Sequence, residues 1–358
     1  MTIQGCGSKR RMGGAIDPSD EAVSVAGLRR LLQYEPRDLT ISVEAGMPWR
    51  ELNWHLAPNR QMVPLDPPFA DSATVGGVVA SNCSGPRRRL YGSARDLVIG
   101  MRFATLEGNL VDTGGMVVKN VAGLDIAKLM IGSFGTLAAI TVVNFKLLPE
   151  PASERSFLLA FDTAADAVAA RGRIMASPLE PAALDVLNPT AGALLGNRAW
   201  MLAVRAAGNR AAVDRYEREL SGFGTGVALD EGDQVRLWRC IEEFTPQFLN
   251  DRPDGAAVRA SCTLKELGTV MERFPGPAVA RAGSGVCYGY FEHGADAAAW
   301  LAEAARRGTK AVMEFGPEDR RGLNLWPAPG GDLELMRRVK HLFDPANLLN
   351  HGRLYQHI

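Results

Sequence analysis

The chain is poor in the residues that would announce several large classes of function. Its five cysteines, Cys6, Cys83, Cys240, Cys262 and Cys287, include no Cys-x-x-Cys pair. No iron–sulfur cluster or other metal centre is therefore expected, and a reducing compartment, the cytoplasm, suits them. Net charge is also missing, because 40 Lys and Arg meet 40 Asp and Glu. Without a global field, nucleic acid is not expected as a partner and membrane association is expected to be peripheral at most; any anion has to be gripped locally. The opening Met1-Thr2-Ile3-Gln4 has neither a basic nor an apolar leader region, so no signal peptide is expected. The longest uncharged run, from Leu129 to Phe145, falls just short of the ~18 residues of a spanning helix. It carries Gly132, Ser133, Gly135, Thr136, Thr141 and Asn144, and reads as a buried helix end followed by a core strand.

What is present is ordinary globular material: 358 residues, 46% hydrophobic and 22% charged, enough for about two domains at ~150 residues each. Glycine is the informative residue, clustered as Gly5/Gly7, Gly13/Gly14, Gly76/Gly77, Gly114/Gly115 and Gly132/Gly135. Between these sets lie β-type runs at 39–43, 97–99, 101–103 and 139–143. Residues 48–56 open with proline at a plausible first helical position and set Trp49, Leu52 and Leu56 on one face, which predicts a short amphipathic helix. Pro149-Glu150-Pro151 reads as a linker. After it, the periodicities follow the order βαββαβ twice: strands at 156–161, 184–187, 200–204 and 226–229 with helices at 163–175 and 211–220, then strands at 257–260, 278–282, 286–291 and 310–315 with helices at 263–274 and 296–307. Two ferredoxin-like halves with outer helices are a natural cover for an antiparallel sheet. A last helix at 332–343 is stopped by Asp344-Pro345.

Three segments carry chemistry. Gly5-Cys6-Gly7-Ser8-Lys9 follows a stub of strand and offers consecutive N–H groups with a hydroxyl and an ammonium beside them, a pattern suited to phosphate; it matches neither the Walker loop nor GxGxxG. Asp66-Pro67-Pro68 leads into Ala73-Thr74-Val75-Gly76-Gly77-Val78-Val79-Ala80-Ser81-Asn82-Cys83-Ser84-Gly85-Pro86, followed by Tyr91-Gly92 and Arg95-Asp96. Here a glycine pair opens a short helix, offering backbone donors at one end and small polar side chains at the other. In the third segment, 118–137, a helix with buried Leu129 and Met130 is bracketed by Gly123, Gly132 and Gly135, turns that let backbone approach a flat ring.

Together these segments resemble the FAD-binding domain of the vanillyl-alcohol oxidase and p-cresol methylhydroxylase superfamily. The resemblance runs from Gly5 to Pro151 and returns at 342–353 with Leu349-Asn350-His351-Gly352-Arg353. It is nearest to glycolate-oxidase-type FAD-binding subunits, and more distant to D-lactate dehydrogenases. It implies an α+β fold: a PCMH-type FAD-binding domain at 1–151, N-terminally truncated, a ferredoxin-like α+β cap or substrate domain at 152–316, and a tail at 317–358 returning to the FAD domain. The family carries a βαβ unit of ~30 or more residues before the glycine loop, whereas Gly5 stands close behind Met1, so either the start codon is misplaced or one subdomain is truncated. It further implies FAD held noncovalently, with Gly5, Cys6, Gly7, Ser8 and Lys9 as the pyrophosphate loop. Pro67, Thr74, Gly76, Gly77, Ser81, Asn82, Ser84, Gly85, Gly92 and Asp96 would form the main cofactor wall. Gly123, Asp125, Leu129, Gly132, Gly135 and Thr136 would make further contacts, Ile140 would meet the adenine end, and Asn350 would return to the flavin. Leu124 stands where the family often has Tyr, His351 where it often has Pro, and Cys6 where it often has Gly.

The implied activity is that of an FAD-dependent oxidoreductase acting on a small 2-hydroxy acid, within a glycolate-oxidase-like complex whose partners are flavoprotein and iron–sulfur subunits. Oxidising such a substrate needs a base, usually His. The family's HxGDGNxH-like element has no match in Tyr288-Gly289-Tyr290-Phe291-Glu292-His293-Gly294-Ala295-Asp296, which leaves His293 as the candidate base and the catalytic residue unassigned. Two other readings stay open: a stand-alone FAD oxidase or dehydrogenase of a hydroxy acid or alcohol, and a flavin-free structural subunit. Arg87-Arg88-Arg89 reads as a solvated run, and Arg95 and Lys119 as salt-bridge partners of Asp96 and Asp125.

Overall fold

The computed structural model describes residues 1–17, 21–116 and 125–355. It divides into two compact units. The first comprises Met1–Gly85, Gly92–Glu150 and Ala328–Ile358, the second Pro86–Tyr91 and Pro151–Pro327.

The first unit is built on a five-stranded antiparallel sheet in the order β3-β4-β8-β6-β7, from β3 (Leu31–Glu35), β4 (Thr40–Glu44), β6 (Val98–Ala104), β7 (Leu110–Gly114) and β8 (Ala139–Lys146). Two small ribbons flank it: β1 (Thr2–Gln4) pairs in parallel with β2 (Ala22–Ser24), and β5 (Gln61–Met62) pairs with β9 (Leu148–Pro149). The Trp49–Leu56 helix starts after Pro48 and buries Trp49, Leu52 and Leu56, the face its spacing dictates; Trp49 meets the edge of Phe145 with ring centroids 6.4 Å apart. The Val75–Ser81 helix adds Val75, Val78 and Val79 to the same core. Each such fully buried aliphatic side chain contributes about 1.5–3 kcal/mol.

The stretch 97–99 with 101–103 forms, from Val98 on, the single strand β6, Gly100 pairing with Gly114 and Asn144 next to a register shift against β8. One expectation needs correction here. Leu129 is 45% exposed rather than buried. The Ala127–Met130 helix is a single turn, so Ala127 and Met130, three residues apart, take the core face and Leu129 points away.

The tail is part of this unit. In the Asp332–Phe343 helix, Leu333 is buried, and Val339 and Phe343 pack on the core. Lys340 is buried as well, its ammonium donating to the carbonyls of Thr136 (2.7 Å) and Leu349 (3.1 Å) and to Oδ2 of Asp344 (2.6 Å). Asp344 also accepts the N–H groups of Leu348 (2.9 Å) and Leu349 (2.7 Å).

The second unit is one eight-stranded sheet, formed by β10 (Ser153–Phe161), β11 (Ala183–Leu187), β12 (Trp200–Gly208), β13 (Thr225–Ala228), β14 (Ala256–Ser261), β15 (Ala278–Arg281), β16 (Val286–Phe291) and β17 (Lys310–Phe315). The order β13-β10-β12-β11-β15-β16-β14-β17 joins two βαββαβ halves through the antiparallel pair β11–β15. The Ala164–Ala176 and Gly294–Arg306 helices are rich in alanine, and Ala164, Ala167, Ala170, Ala297 and Ala304 are buried against the sheet. Residues 317–327 stay with this unit because the carbonyl of Leu325 accepts the N–H of Met313 (2.8 Å) and the Leu325 side chain joins its core. The helix expected at 263–274 is shorter, Leu267–Glu272; Glu266 accepts both the N–H and the hydroxyl of Thr263, holding those residues in a separate turn. Helices Glu231–Glu242 and Phe244–Asn250 were not foreseen.

The Lys340–Asp344 pair sets the first test. Burial acts to raise the Asp344 carboxyl, but the N–H groups of Leu348 and Leu349 and the Lys340 ammonium outweigh it, leaving the group below its ordinary range. Its stabilisation is therefore complete above the unfolded carboxyl pKa of about 3.9 and is lost as pH falls through the lower folded value. Asp344→Asn is expected to cost about 3–5 kcal/mol in urea unfolding at pH 7, and Lys340→Met/Asp344→Leu to recover part of that loss, because breaking a buried pair is worse than replacing it. Equal losses in the single and double variants would contradict this.

Candidate functional site

A cleft of about 260 Å³ opens in the first unit, lined by residues 3–10, Ile16, Val25, Thr74, Gly76, Gly77, Ala80, Ser81, Phe134, Gly135, Ala138, Ile140, Asn350 and Arg353. That volume sits just below the ~300 Å³ lower bound for drug-sized ligands, so it takes part of an extended molecule rather than the whole. Its lining includes Lys9, Arg10 and Arg353 and no carboxylate. A chain of zero net charge thus concentrates three cations at one place.

The loop after β1 provides the donors. The backbone N–H groups of Gly5, Cys6, Gly7 and Ser8 find no acceptor among the described residues, whereas the following turn is closed by Arg10 N–H to the Gly7 carbonyl (3.1 Å) and Met12 N–H to the Lys9 carbonyl (3.0 Å). Gly7 has φ of +71°, in the left-handed region where glycine carries no steric penalty. Lys9 is buried, with its ammonium 5.8 Å from the Phe69 ring centroid. Arg353 bridges this loop to the tail, donating to the carbonyls of Arg10 (2.8 Å) and Gly14 (3.2 Å).

The Val75–Ser81 helix forms the wall, but not in the way its glycine pair suggests. Its leading N–H groups are already taken: Val75 by the Met47 carbonyl (2.9 Å), Gly76 by the Ala45 carbonyl (2.7 Å), Gly77 by Oγ1 of Thr74 (3.2 Å) and Val78 by the Thr74 carbonyl (3.0 Å). Gly76 is there for close approach, since a Cβ would lie 2.7 Å from that of Ala45. Ser81 hydrogen-bonds inward to the Gly77 carbonyl (2.6 Å). The helix therefore supplies shape, and the free donors lie in residues 5–8.

Residues 132–136 form the opposite lip. Gly132, Phe134 and Gly135 all have positive φ, a run that only glycine adopts without strain, so Phe134 needs external support. That support is twofold. Gly132 and Phe134 donate to the Val79 and Ala80 carbonyls (3.2 and 2.9 Å) at the end of the Val75–Ser81 helix, Val79 also accepting the N–H of Asn82 (3.1 Å). From the tail, the Asn350 carboxamide donates to the carbonyls of Phe134 (2.7 Å) and Ile3 (3.1 Å) and accepts the N–H of Ile3 (2.7 Å). Two buried polar atoms beside this lip, Oγ of Ser133 and Oδ1 of Asn82, have no partner among the described residues.

Of the residues singled out from sequence, Gly5, Cys6, Gly7, Ser8, Lys9, Thr74, Gly76, Gly77, Ser81, Gly135, Ile140 and Asn350 meet at the cleft. The others do not line it. Pro67 is buried, and Gly85 packs on Asp66, with its N–H donating to the Leu65 carbonyl (2.6 Å). Ser84 is half-buried. Gly92 lies against Asp96, which caps its own turn by accepting Ser93 N–H (2.8 Å) and hydroxyl (3.0 Å) and so does not pair with Arg95; Arg95 donates to the Lys128 carbonyl instead (2.8 Å). Asp125 pairs with Lys128 at 3.5 Å. The Thr136 hydroxyl donates to the Ser133 carbonyl (2.7 Å). Leu129 is exposed, as noted above, and Asn82 and Gly132 pack against each other behind the lip. Gly123, Leu124 and Lys119 fall outside the described residues. Sequence reading passed over Ile3, Gln4, Arg10, Ile16, Val25, Ala80, Phe134 and Ala138. The short β run at 2–4 was the available signal for the first two; Ile16 and Val25 lie in a stretch without periodicity.

In the second unit, His293 precedes the Gly294–Arg306 helix, with Nδ1 2.8 Å from Oδ2 of Asp254 and its side chain 66% exposed. Arg89 is not part of a solvated run; it donates to the Pro181 carbonyl at 2.8 Å.

The loop geometry gives a direct test. A methyl on Gly5 would collide with Oγ1 of Thr74, so Gly5→Ala is expected to displace the loop and weaken uptake of FAD, the ligand the sequence resemblance implies, by about tenfold or more in calorimetry, the equivalent of 1.4 kcal/mol. Gly27→Ala, with nothing within 4 Å of its added methyl, should leave affinity unchanged.

Comparison with known proteins fits this geometry. Residues 1–114 match the family model described as FAD binding domain, and residues 328–354 match that of FAD linked oxidases, C-terminal domain. Glycolate oxidase subunit GlcE of Escherichia coli (strain K12) is 38% identical over 157 residues, 44% of this chain and 44% of that protein. D-lactate dehydrogenase [cytochrome] 1, mitochondrial, of Saccharomyces cerevisiae is 31% identical over 45% of this chain and 27% of its own length. The match thus spans less than half of either relative. D-2-hydroxyglutarate dehydrogenase of Xanthomonas citri pv. viticola is 28% identical over 96% of this chain and 82% of that protein. Among solved structures, p-cresol methylhydroxylase with substrate bound superposes with a TM-score of 0.73 at 16% identity, covering 99% of this chain and 83% of that one. An alkyldihydroxyacetonephosphate synthase superposes at 0.71 and 18%, covering 99% and 73%; at such identities both show the fold. The chain is thus similar to the FAD binding domain over residues 1–114 and to the FAD linked oxidases over 328–354, and its α+β fold is that of p-cresol methylhydroxylase.

Proposed function

We propose that the chain is the FAD-binding subunit of a glycolate-oxidase-type complex that oxidises a small 2-hydroxy acid, with flavoprotein and iron–sulfur subunits as partners. The observation that carries this reading is the row of unengaged N–H groups at Gly5, Cys6, Gly7 and Ser8 beside Lys9, Arg10 and Arg353. A diphosphate supplies what that row lacks: several acceptors and negative charge in a site without a carboxylate. Ile16, Val25, Ala138 and Ile140 add apolar lining suited to an adenine ring.

FAD when bound supplies the two-electron acceptor. The protein's part is to hold it: loop amides fix the diphosphate, the Val75–Ser81 helix gives a flat wall, and Asn350 keeps the lip at Phe134 in place. No covalent tether is invoked, and Cys6 serves as a small loop residue. The subunit role rests on the likeness to a protein named as a glycolate oxidase subunit. A second reading, a stand-alone 2-hydroxy-acid dehydrogenase, is favoured by one observation: the likeness to D-2-hydroxyglutarate dehydrogenase extends through both units.

Purified chain is expected to be yellow and to release its flavin on acid precipitation. As a subunit it should keep its colour with glycolate or D-lactate when pure and bleach only when co-expressed with its partners. Bleaching by the isolated chain selects the stand-alone reading. Colourless, folded protein that takes up no FAD by calorimetry overturns both.

A further inference from the structure

Away from the cleft, in the second unit, two cysteines and a buried arginine meet at the end of a strand pair. Cys287 lies on β16, opposite Ala260 of β14 and fully buried. Cys262 follows the last residue of β14, half-buried, its N–H donating to the Gly285 carbonyl (2.9 Å) in the turn before β16. The two sulfurs are 3.9 Å apart and in hydrogen-bond contact. Arg171, from the Ala164–Ala176 helix, is 6% exposed; its guanidinium donates to the Leu264 carbonyl, and its Nε has no partner.

We propose that Cys262 and Cys287 form a peroxide-reactive dithiol that closes reversibly to a disulfide, with Arg171 as the positioning cation. A buried guanidinium without a carboxylate is costly, and a thiolate at Cys262 offsets that cost. The groups facing Cys262 divide in a consistent way: the hydrogen bond from Cys287 favours the thiolate most, burial opposes it, the Glu266 carboxylate opposes it, and Arg171 favours it, leaving the thiol below its ordinary value. Cys287 moves the other way, held protonated by its bond to Cys262 and by burial. One sulfur is thus the accessible nucleophile and the other the sheltered resolving thiol, the division such pairs require.

The reaction balances with hydrogen peroxide as the oxidant. The Cys262 thiolate attacks one peroxide oxygen, the O–O bond breaks and takes the electron pair, and with a proton water leaves, giving the Cys262 sulfenic acid. The Cys287 thiol then attacks that sulfur, the S–S bond forms, and hydroxide leaves as a second water on taking the Cys287 proton. Two thiols lose two electrons and two protons, and peroxide is reduced to two waters. Diagonal neighbours in a sheet stand farther apart than a disulfide prefers, so the chain has to give at one side. Cys262 is placed to move, because it lies just past the strand and faces a turn with Gly285 at φ +68°.

The test uses the full chain, reduced, desalted and treated with stoichiometric hydrogen peroxide. Peptide mapping without reductant is expected to find one intramolecular link joining Cys262 to Cys287, reversed by dithiothreitol and absent in Cys262→Ser and in Cys287→Ser, while Cys240→Ser retains it. At pH 7, Arg171→Met is expected to slow alkylation of Cys262 measurably, because a cation that favours the thiolate is lost, and Arg171→Lys to keep most of the rate. Circular dichroism establishes that each variant folds. The proposal is overturned if Cys287 stays fully alkylatable in the denatured, peroxide-treated protein, if Cys262 goes to sulfinic acid without linking, or if folded Arg171→Met alkylates at the wild-type rate.

Discussion

The site depends on one carboxamide. Asn350 treats Ile3 as a neighbouring strand would, accepting its N–H and donating to its carbonyl, and spends its remaining donor on Phe134. Those three bonds connect the start of the chain, its end and the strained lip at 132–136. Each is worth about 0.5–1.5 kcal/mol net, modest singly. Their joint effect is positional: β1 pairs with β2 over only three residues, so without Asn350 the loop that follows has little to fix it. Its oxygen and both its amide donors are engaged by protein, so what Asn350 does is hold the groups around the cleft in place. Lys340 and Asp344 then hold the segment that presents it, through bonds to the carbonyls of Thr136 and Leu349 and from the N–H groups of Leu348 and Leu349.

The same economy governs charge. With 40 positive and 40 negative residues, many arginines face a carboxylate, as Arg30 does Glu44, Arg205 Glu154 and Arg281 Asp185. The lining of the cleft holds cations and no carboxylate. Arg353 is held by main-chain carbonyls, which orient a guanidinium without cancelling its charge, and Lys9 is buried beside an aromatic ring. Coulomb attraction for an anion survives there because no fixed carboxylate lines the cleft.

Periodicity made most of the elements readable. The Lys310–Phe315 strand and the Asp332–Phe343 helix fall where the pattern puts them, and so does the face Trp49, Leu52 and Leu56 bury. Helix Glu231–Glu242 escaped because its apolar positions, Val235, Leu237, Trp238 and Ile241, are diluted by charge. A cue was present all the same, in Asp230 as an N-cap accepting the N–H of Asp233. Leu129 was misjudged because a four-residue helix has too few turns for periodicity to assign a face. In the candidate site, residue types pointed to a loop that lines the cleft, but sequence cannot say which donors remain free. That depends on carbonyls brought from elsewhere, those of Ala45 and Met47 at the helix and of Phe134 at the lip.

Two glycines in the same motif region therefore do opposite work. Gly76 has its N–H bound to the Ala45 carbonyl and no room for a Cβ, so its role is complete within the protein. Gly7 has an unengaged N–H, a left-handed φ and only the distant Gln4 side chain, at 3.9 Å, near where a Cβ would stand. A side chain at position 76 would push the wall off the sheet. One at position 7 would strain the backbone and change the direction of a donor while leaving the core alone. Losing the first is a failure of packing, felt in stability; losing the second is a failure of presentation, felt in binding. A glycine-rich stretch reads as a ligand site only where backbone donors are left over after the fold has taken its share, and in this chain that surplus lies at residues 5–8.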